Sequence, residues 1–453
     1  MSLLGNLLYA TCDYTYENEF VRTTPYVQTA VIQRFFSNIQ KGDKITIFLT
    51  ADAEKKNWED RGFSSDELKK NAQGTSKAES YGYSIDAKVE NPTKTGLKKE
   101  LQELLSTVKE KNDFEIKDVL NPISQIPEGK NEQELYELFQ VIYNEIRDGD
   151  EIYFDITNSF RFMPMLVMTI LNYAQTLKNI KLAGIYYGEY DPEKYKTDKA
   201  MPILDLSMFQ HIVDLSKAAE VFVKNGIAEP IRTATEKSCN RKEVYKIKDS
   251  MEKLDNFTKC IQCSRGKFQE NENNSIQTAY ANFKSSRVDL SSIEDGYANI
   301  IEPLFEKIDD SVKKFDVQDS AEIGMATVEW CYEYRQIQQG FTALEETITT
   351  KACKLCGVDE NDADTRKAVK SAMMSLVNRK EKQHVKVKEQ KKQIELICME
   401  KLPKELMRLS KNVSQQRNSL NHFGFDKASK NGGIPYSSFE KKLEDFMNEL
   451  AQL

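Results

Sequence analysis

Glu151-Ile-Tyr-Phe-Asp-Ile156, the polar turn Thr157-Asn158-Ser159 and the helical run Phe160–Leu177 form the stretch that decides the fold. Branched and aromatic residues make the first part a buried strand, and an apolar helix follows at once. Such a strand–turn–helix is one unit of a parallel sheet. Ser159 is placed to cap the helix starting at Phe160, so that free N–H groups and the positive helix end point into the crevice beyond the strand. Arg161, one residue in, completes a site suited to phosphate. The same residues also serve a duller purpose, capping a helix in a solvated loop.

Working outward, Leu3–Ala10, Lys44–Thr50, Phe114–Val119, Lys181–Tyr187 and Pro202–Leu206 read as further strands. Thr24–Asn38, Leu97–Val108 and Glu132–Arg147 read as the helices between them. The polar stretch Lys55–Thr95 has weak periodicity and reads as a partly helical insertion. Strands alternating with helices predict a mostly parallel, doubly wound, Rossmann-like sheet. Ligands bind such sheets outside the carboxyl ends of the strands. Three of these ends are polar: Thr11-Cys12-Asp13-Tyr14, Thr50-Ala51-Asp52, and Asp155 through Arg161. After the first strand there is no G-x-G-x-x-G, and no P-loop occurs anywhere, so neither a dehydrogenase nor an NTPase is expected.

From Ser207 the strand signal fades. Helices with charged faces fill 207–330, Val244–Phe257 among them. Glu329–Thr350, Arg366–Asn378, Val385–Met407 and Ser437–Leu453 read as helices of a last region. The expected domains are 1–206, a helical middle 207–328, and a helical C-terminal domain 329–453. At roughly 150 residues per domain, a chain of 453 residues fits two or three.

The net charge is −7, so bulk charge does not bind nucleic acid and any such contact needs a local patch. The segment rich in Lys and Arg from Arg366 to Lys392 is one, although a solvated helix face explains it equally well. The opening MSLLGNLLYATCDY lacks the pattern of a signal peptide, and Phe160–Ala174 is too short to span a bilayer. The expected address is cytoplasmic, without membrane contact and with free cysteines. Cys260/Cys263 and Cys353/Cys356 have the wrong separation for a zinc ribbon and read as helix positions; no metal is expected.

Three histidines exist: His211, His384 and His422. Imidazole beside a guanidinium can cleave RNA, the one moving the proton, the other holding charge on phosphorus. Two Arg-x4-His spacings occur. Arg379…His384 sits in a charge run that reads as a solvated face. Arg417-Asn418-Ser419-Leu420-Asn421-His422 has uncharged intervening residues and runs into Phe423-Gly424-Phe425, with Gly424 a helix stop. His211, in the apolar run Met208–Leu215, reads as a packed residue.

Leu7–Thr11 with Tyr14, Ile47–Asp52 with Asn57-Trp58, Asp155-Ile-Thr-Asn-Ser-Phe-Arg161-Phe-Met-Pro164, and Gly184–Gly188 with Pro202–Leu206 together resemble the CARF (CRISPR-associated Rossmann fold) sensor domain. Trp330-Cys331-Tyr332 and Gln338–Glu346 resemble the first helix of a HEPN domain, and Arg417-Asn418…His422 its catalytic motif. The combination is similar to the CARF–HEPN ribonucleases accessory to type III CRISPR systems, best over 1–206 and 325–426.

The resemblance implies a cyclic oligoadenylate as activator, tetra-adenylate favoured over hexa-adenylate, held by Thr11, Asp13, Tyr14, Thr50, Asp52, Thr157, Asn158, Ser159 and Arg161. A two-fold ring implies a homodimer or higher even oligomer. It further implies metal-independent cleavage of single-stranded RNA to a 2′,3′-cyclic phosphate and a 5′-hydroxyl, without a cofactor. Arg417 would stabilise the phosphorane, His422 would serve the proton or orient the 2′-hydroxyl, and Asn418 would position the phosphate. Three alternatives stand beside it: a toxin-type RNase without messenger control, a non-enzymatic ligand sensor or regulator, and a sensor that also degrades its activator.

Overall fold

The computed structural model describes residues 1–4, 12–36, 38–62, 93–109, 113–157, 162–189, 200–238, 244–266, 275–290, 296–378, 389–421 and 436–453. It divides into two compact units, Met1–Gln210 and His211–Leu453.

The first unit is built on an eight-stranded sheet: β1 (Ser2–Leu4), β2 (Cys12–Tyr16), β3 (Glu19–Thr24), β4 (Ile45–Leu49), β5 (Leu120–Ile123), β6 (Glu151–Asp155), β7 (Lys181–Gly188) and β8 (Ala200–Asp205). The spatial order is β3-β2-β8-β7-β6-β1-β4-β5. The five strands β7-β6-β1-β4-β5 are parallel to their neighbours, β8 is antiparallel to β7, and β3 is antiparallel to β2. The helices between strands are α1 (Val27–Phe35), α2 (Leu97–Lys109), α3 (Glu132–Asn144) and α4 (Met163–Lys178). Alternation along β4 shows how both faces are covered. Ile45, Ile47 and Leu49 pack with Tyr26 and Ile32 of the α1 region and Leu97, Leu101 and Leu105 of α2. Phe48 faces the other way, into Leu138 and Ile142 of α3 and Val167, Ile170 and Leu171 of α4. Each such side chain, fully buried, contributes about 1.5–3 kcal/mol. A Rossmann-like three-layer unit results, as the sequence predicts.

Several expected elements are displaced. Cys12–Tyr16 is not the tail of the first strand. It is a strand of its own, closed on β3 through Glu17 and Asn18, whose positive φ values (50° and 65°) suit a two-residue hairpin. The strand expected at 114–119 is instead a single helical turn, Ile116–Val119, followed by β5. Pro122 is tolerated in β5 because that strand lies at the sheet edge. The helix expected from Phe160 begins at Met163, with Phe162 ahead of it and no side-chain cap. The helix expected at 24–38 occupies only Val27–Phe35.

The second unit is helical throughout its described residues: α5 (Ser207–Asn225, beginning in the first unit), α6 (Glu229–Ser238), α7 (Val244–Gln262), α8 (Ile276–Ser286), α9 (Gly296–Val312), α10 (Ser320–Glu333), α11 (Ile337–Cys356), α12 (Ala363–Asn378), α13 (Glu389–Lys401), α14 (Lys404–Asn421) and α15 (Tyr436–Gln452). Two apolar cores meet along α10. Ile323, Ala326 and Trp330 face the first, where Trp330 is ringed by Phe222, Phe257, Phe315 and Tyr334. Val328 faces the second, with Phe341, Leu344 and Ile348 of α11 and Leu406, Leu409 and Val413 of α14. α10 and α11 approach closely because Gly324 has no Cβ to strike Thr347. The single helix expected at 329–350 is therefore two, broken at Arg335, which adopts φ +56°. The one expected at 385–407 is also two, because Pro403 cannot continue a helix.

Candidate functional site

The carboxyl edge of the first unit's sheet has a buried carboxylate at its centre. Asp155 ends β6, the strand beside β1, where the chain switches from one side of the sheet to the other. It is 3% exposed. Ser2 Oγ donates to its Oδ2 at 2.6 Å, and the Thr157 hydroxyl and N–H donate to its Oδ1. Thr157 Oγ1 in turn accepts the Gly188 N–H at 2.8 Å, tying the end of β6 to the end of β7. Burial pushes the Asp155 carboxyl above its ordinary range, against the hydrogen bonds that pull it down.

Of the residues expected to contact a ligand, Asp13, Thr50, Asp52 and Thr157 lie at strand ends along this edge. Asp13 lies level with Ala200 on the β2 side and accepts from Thr23 at 2.5 Å. Tyr14 turns into the core at 5% exposure, packing with Val27 and Met201, so it does not face the edge as expected. Thr50 is buried and its hydroxyl accepts the Ala53 N–H, capping the short turn after β4. Asp52 is exposed and paired with Lys56 at 3.3 Å. Thr157 forms the bridge just described. Thr11, Asn158, Ser159 and Arg161 lie outside the described residues. Sequence reading took in Asp155 only as part of a polar strand end; its burial and its hydroxyl partners depend on the neighbouring strands.

The second unit gathers charge around Glu345. Pro403 precedes α14, whose residues Leu406, Leu409, Ser410, Val413 and Ser414 are buried at helical spacing. Arg417 continues that stripe, one turn beyond Ser414. On the facing α11, Gln338, Thr342, Glu345 and Thr349 line up by the same periodicity. Gln338 Nε2 donates to Asn421 Oδ1 at 3.1 Å. Glu345, 2% exposed, accepts from Ser414 Oγ and pairs with Lys370 of α12 at 2.9 Å and with Arg417 at 3.5 Å. Asn418, the next residue, is exposed and lies one turn beyond Ser414. His422, His384 and Arg379 lie outside the described residues; among the described ones, Arg417, Glu345 and Lys370 come together. Sequence reading quoted Glu345 only inside the helix motif; its role as a shared counter-ion needed three helices.

A cleft of about 1100 Å³ borders this face of α11, among Arg265, Gln339, Thr342, Glu346, Asn361 and Arg366. Arg366 is engaged there, with Glu346 at 2.6 Å and with Thr350. Cys260 lies on α7 and Cys353 and Cys356 on α11, as expected, whereas Cys263 falls in the turn just beyond α7. Cys356 Sγ is 3.7 Å from Cys398 Sγ. Among the described residues no three His, Cys, Asp or Glu groups converge to hold a metal. No described helix is long and apolar enough to cross a membrane.

A Rossmann-like sheet with a polar carboxyl edge, followed by a helical unit, defines the class: an α/β domain and a helical module in one chain. Residues 1–192 match the family described as "CRISPR system endoribonuclease Csx1, CARF domain". The chain is also similar to CRISPR-associated protein MJ1674 of Methanocaldococcus jannaschii, 28% identical over 222 residues, which are 49% of this chain and 32% of that protein. The match thus spans about a third of the relative's length. The match to the CARF-domain family falls within the first unit.

Proposed function

We propose that this protein is a cyclic-oligoadenylate-activated, metal-independent endoribonuclease that cleaves single-stranded RNA in type III CRISPR defence. The observation that carries the reading is Arg417, held on α14 by the buried Glu345 in a helical unit that follows the match to the CARF-domain family. The ring binds at the carboxyl edge of the first unit, its phosphates met by the helix start beyond β6 and by Arg161. A homodimer supplies the edge twice to a two-fold ligand, and binding favours the state in which two helical units form one competent site.

In that site the 2′-oxygen attacks the adjacent phosphorus, and the bond from phosphorus to the 5′-oxygen breaks. His422 handles the proton that leaves the 2′-hydroxyl or reaches the 5′-oxygen. Arg417 holds the charge that develops on the phosphorane oxygens. Asn418 positions the phosphate, and the products are a 2′,3′-cyclic phosphate and a 5′-hydroxyl.

The test is cleavage of a fluorescent single-stranded RNA in EDTA, with cyclic tetra-adenylate, cyclic hexa-adenylate or neither. Cleavage with one ring alone, strongest for tetra-adenylate, is expected, and it should vanish in His422→Ala. Cleavage without a ring moves the reading to an unregulated RNase. Ring binding without cleavage moves it to a sensor that signals to another protein.

A further inference from the structure

Glu345 is one buried carboxylate shared by two cations from two different helices. Lys370 Nζ is the nearer, at 2.9 Å from Oε1; Arg417 Nη1 stands 3.5 Å from Oε2. Ser414 completes Oε1. Glu345 Oε2 and Arg417 Nε, both shielded from solvent, make no hydrogen bond. The groups facing the carboxylate thus carry one more positive than negative charge, and the looser partner is Arg417. Its neighbour Glu346 does not upset this balance, being paired with Arg366.

We propose that Lys370 and Glu345 are a positioning pair that keeps Arg417 oriented yet electrically available. The proposal rests on the reading of Arg417 as the group that meets the scissile phosphate. A buried carboxylate requires a counter-charge. With Lys370 supplying it, the Arg417 guanidinium is held in place without being neutralised, and its positive charge remains for a phosphate. Without Lys370, Glu345 has Arg417 alone. The 3.5 Å approach then closes towards a bidentate pair, and the guanidinium is withdrawn and neutralised. Lys370 and Glu345 touch no substrate in this scheme; they act through Arg417.

The inference separates from a plain packing role by a reversal. In the full chain with its activating ring, Lys370→Met slows single-turnover RNA cleavage by about 10–100-fold, the range for loss of a supporting partner. KM changes by less than about threefold. Adding Glu345→Gln to Lys370→Met removes the charge that captures Arg417, so the double variant cleaves faster than Lys370→Met alone. If both residues merely packed, the double variant would be as slow as the slower single variant or slower, and the proposal would fall; wild-type cleavage by Lys370→Met would overturn it equally. A second readout needs no ribonuclease activity: modification of Arg417 by phenylglyoxal, followed by peptide mapping. The rate at Arg417 falls in Lys370→Met and recovers in the double variant. An unchanged rate overturns the pair even if the RNA assay is silent, whereas the expected pattern in a protein that cleaves no RNA leaves the pair standing and defeats only the ribonuclease reading.

Discussion

The candidate site of each unit holds a buried carboxylate, and the two are satisfied in different ways. Asp155, in the sheet, takes its hydrogen bonds from the hydroxyls of Ser2 and Thr157 and the Thr157 N–H, with the Met1 ammonium acting on it only through space. Glu345, between helices, is met by Lys370 and Arg417 as well as by Ser414. Hydroxyl donors serve a neutral acid nearly as well as a carboxylate, so burial is free to raise the Asp155 pKa. Cations are useful only to a charge. The difference teaches that the first carboxylate is a structural clasp for the β6 turn, and the second is an electrostatic anchor for Lys370 and Arg417.

The comparison yields predictions that can break it. The largest effect is expected at Arg417→Ala, which should lower RNA cleavage by about a hundredfold or more while leaving binding of the ring to the first unit intact. Filter binding of labelled ring beside the RNA assay checks both halves, and loss of ring binding would contradict the division of labour. Next, Glu345→Ala strips two cations of their counter-ion. Breaking a buried pair costs about 3–5 kcal/mol, but Lys370 and Arg417 are each about one-third exposed, which reduces the expected cost to about 2 kcal/mol. Denaturant unfolding reads this directly.

Asp155→Asn should change stability by less than about 1 kcal/mol, because a neutral side chain suits its site, whereas Asp155→Leu strands the donors of Ser2 and Thr157 at about 1–3 kcal/mol. The pH dependence has a definite sign. A folded-state pKa raised above the unfolded value means that the folded chain holds this proton more tightly. The stability so contributed is present below the ordinary aspartate value and is lost as pH rises through the raised one. Asp155→Asn should therefore lose less stability than the wild type over that window; an equal loss would reassign the cause of the shift.

The smallest effect concerns the thiols. Burial pushes Cys331 and Cys398 up to about 12 and Cys353 up to about 11. Among the described cysteines, the exposed Cys263 should take up iodoacetamide first at pH 8, as native mass spectrometry would show. Early labelling of Cys353 would mean that the α11 core opens readily.

Much of the first unit is legible in the sequence because its buried strands announce themselves. Ile45–Leu49 and Glu151–Asp155 are short, branched or aromatic runs bounded by polar turns. The β2–β3 hairpin was not, since Glu17-Asn18 lacks the glycine that usually marks such a turn. The break between α10 and α11 was hidden for a similar reason: Arg335 takes a positive φ that its residue type does not advertise. Pro403 did mark the start of α14, yet the apolar periodicity on either side reads as one helix.

The sequence by itself determined the class of each unit, the family resemblance of its first 200 residues and the position of Arg417 on a helix. These depend on local periodicity and turn chemistry, which neighbours in the chain are enough to set. Only the tertiary structure decided that Tyr14 belongs to the core, that Asp155 is clasped by hydroxyls from β1 and from its own turn, and that Arg417 shares Glu345 with Lys370. Those facts join residues as far apart as 2 and 155, or 345 and 417. Their energies come from burial and from the pairing of charge inside a low-dielectric interior, and both exist only once distant segments have packed.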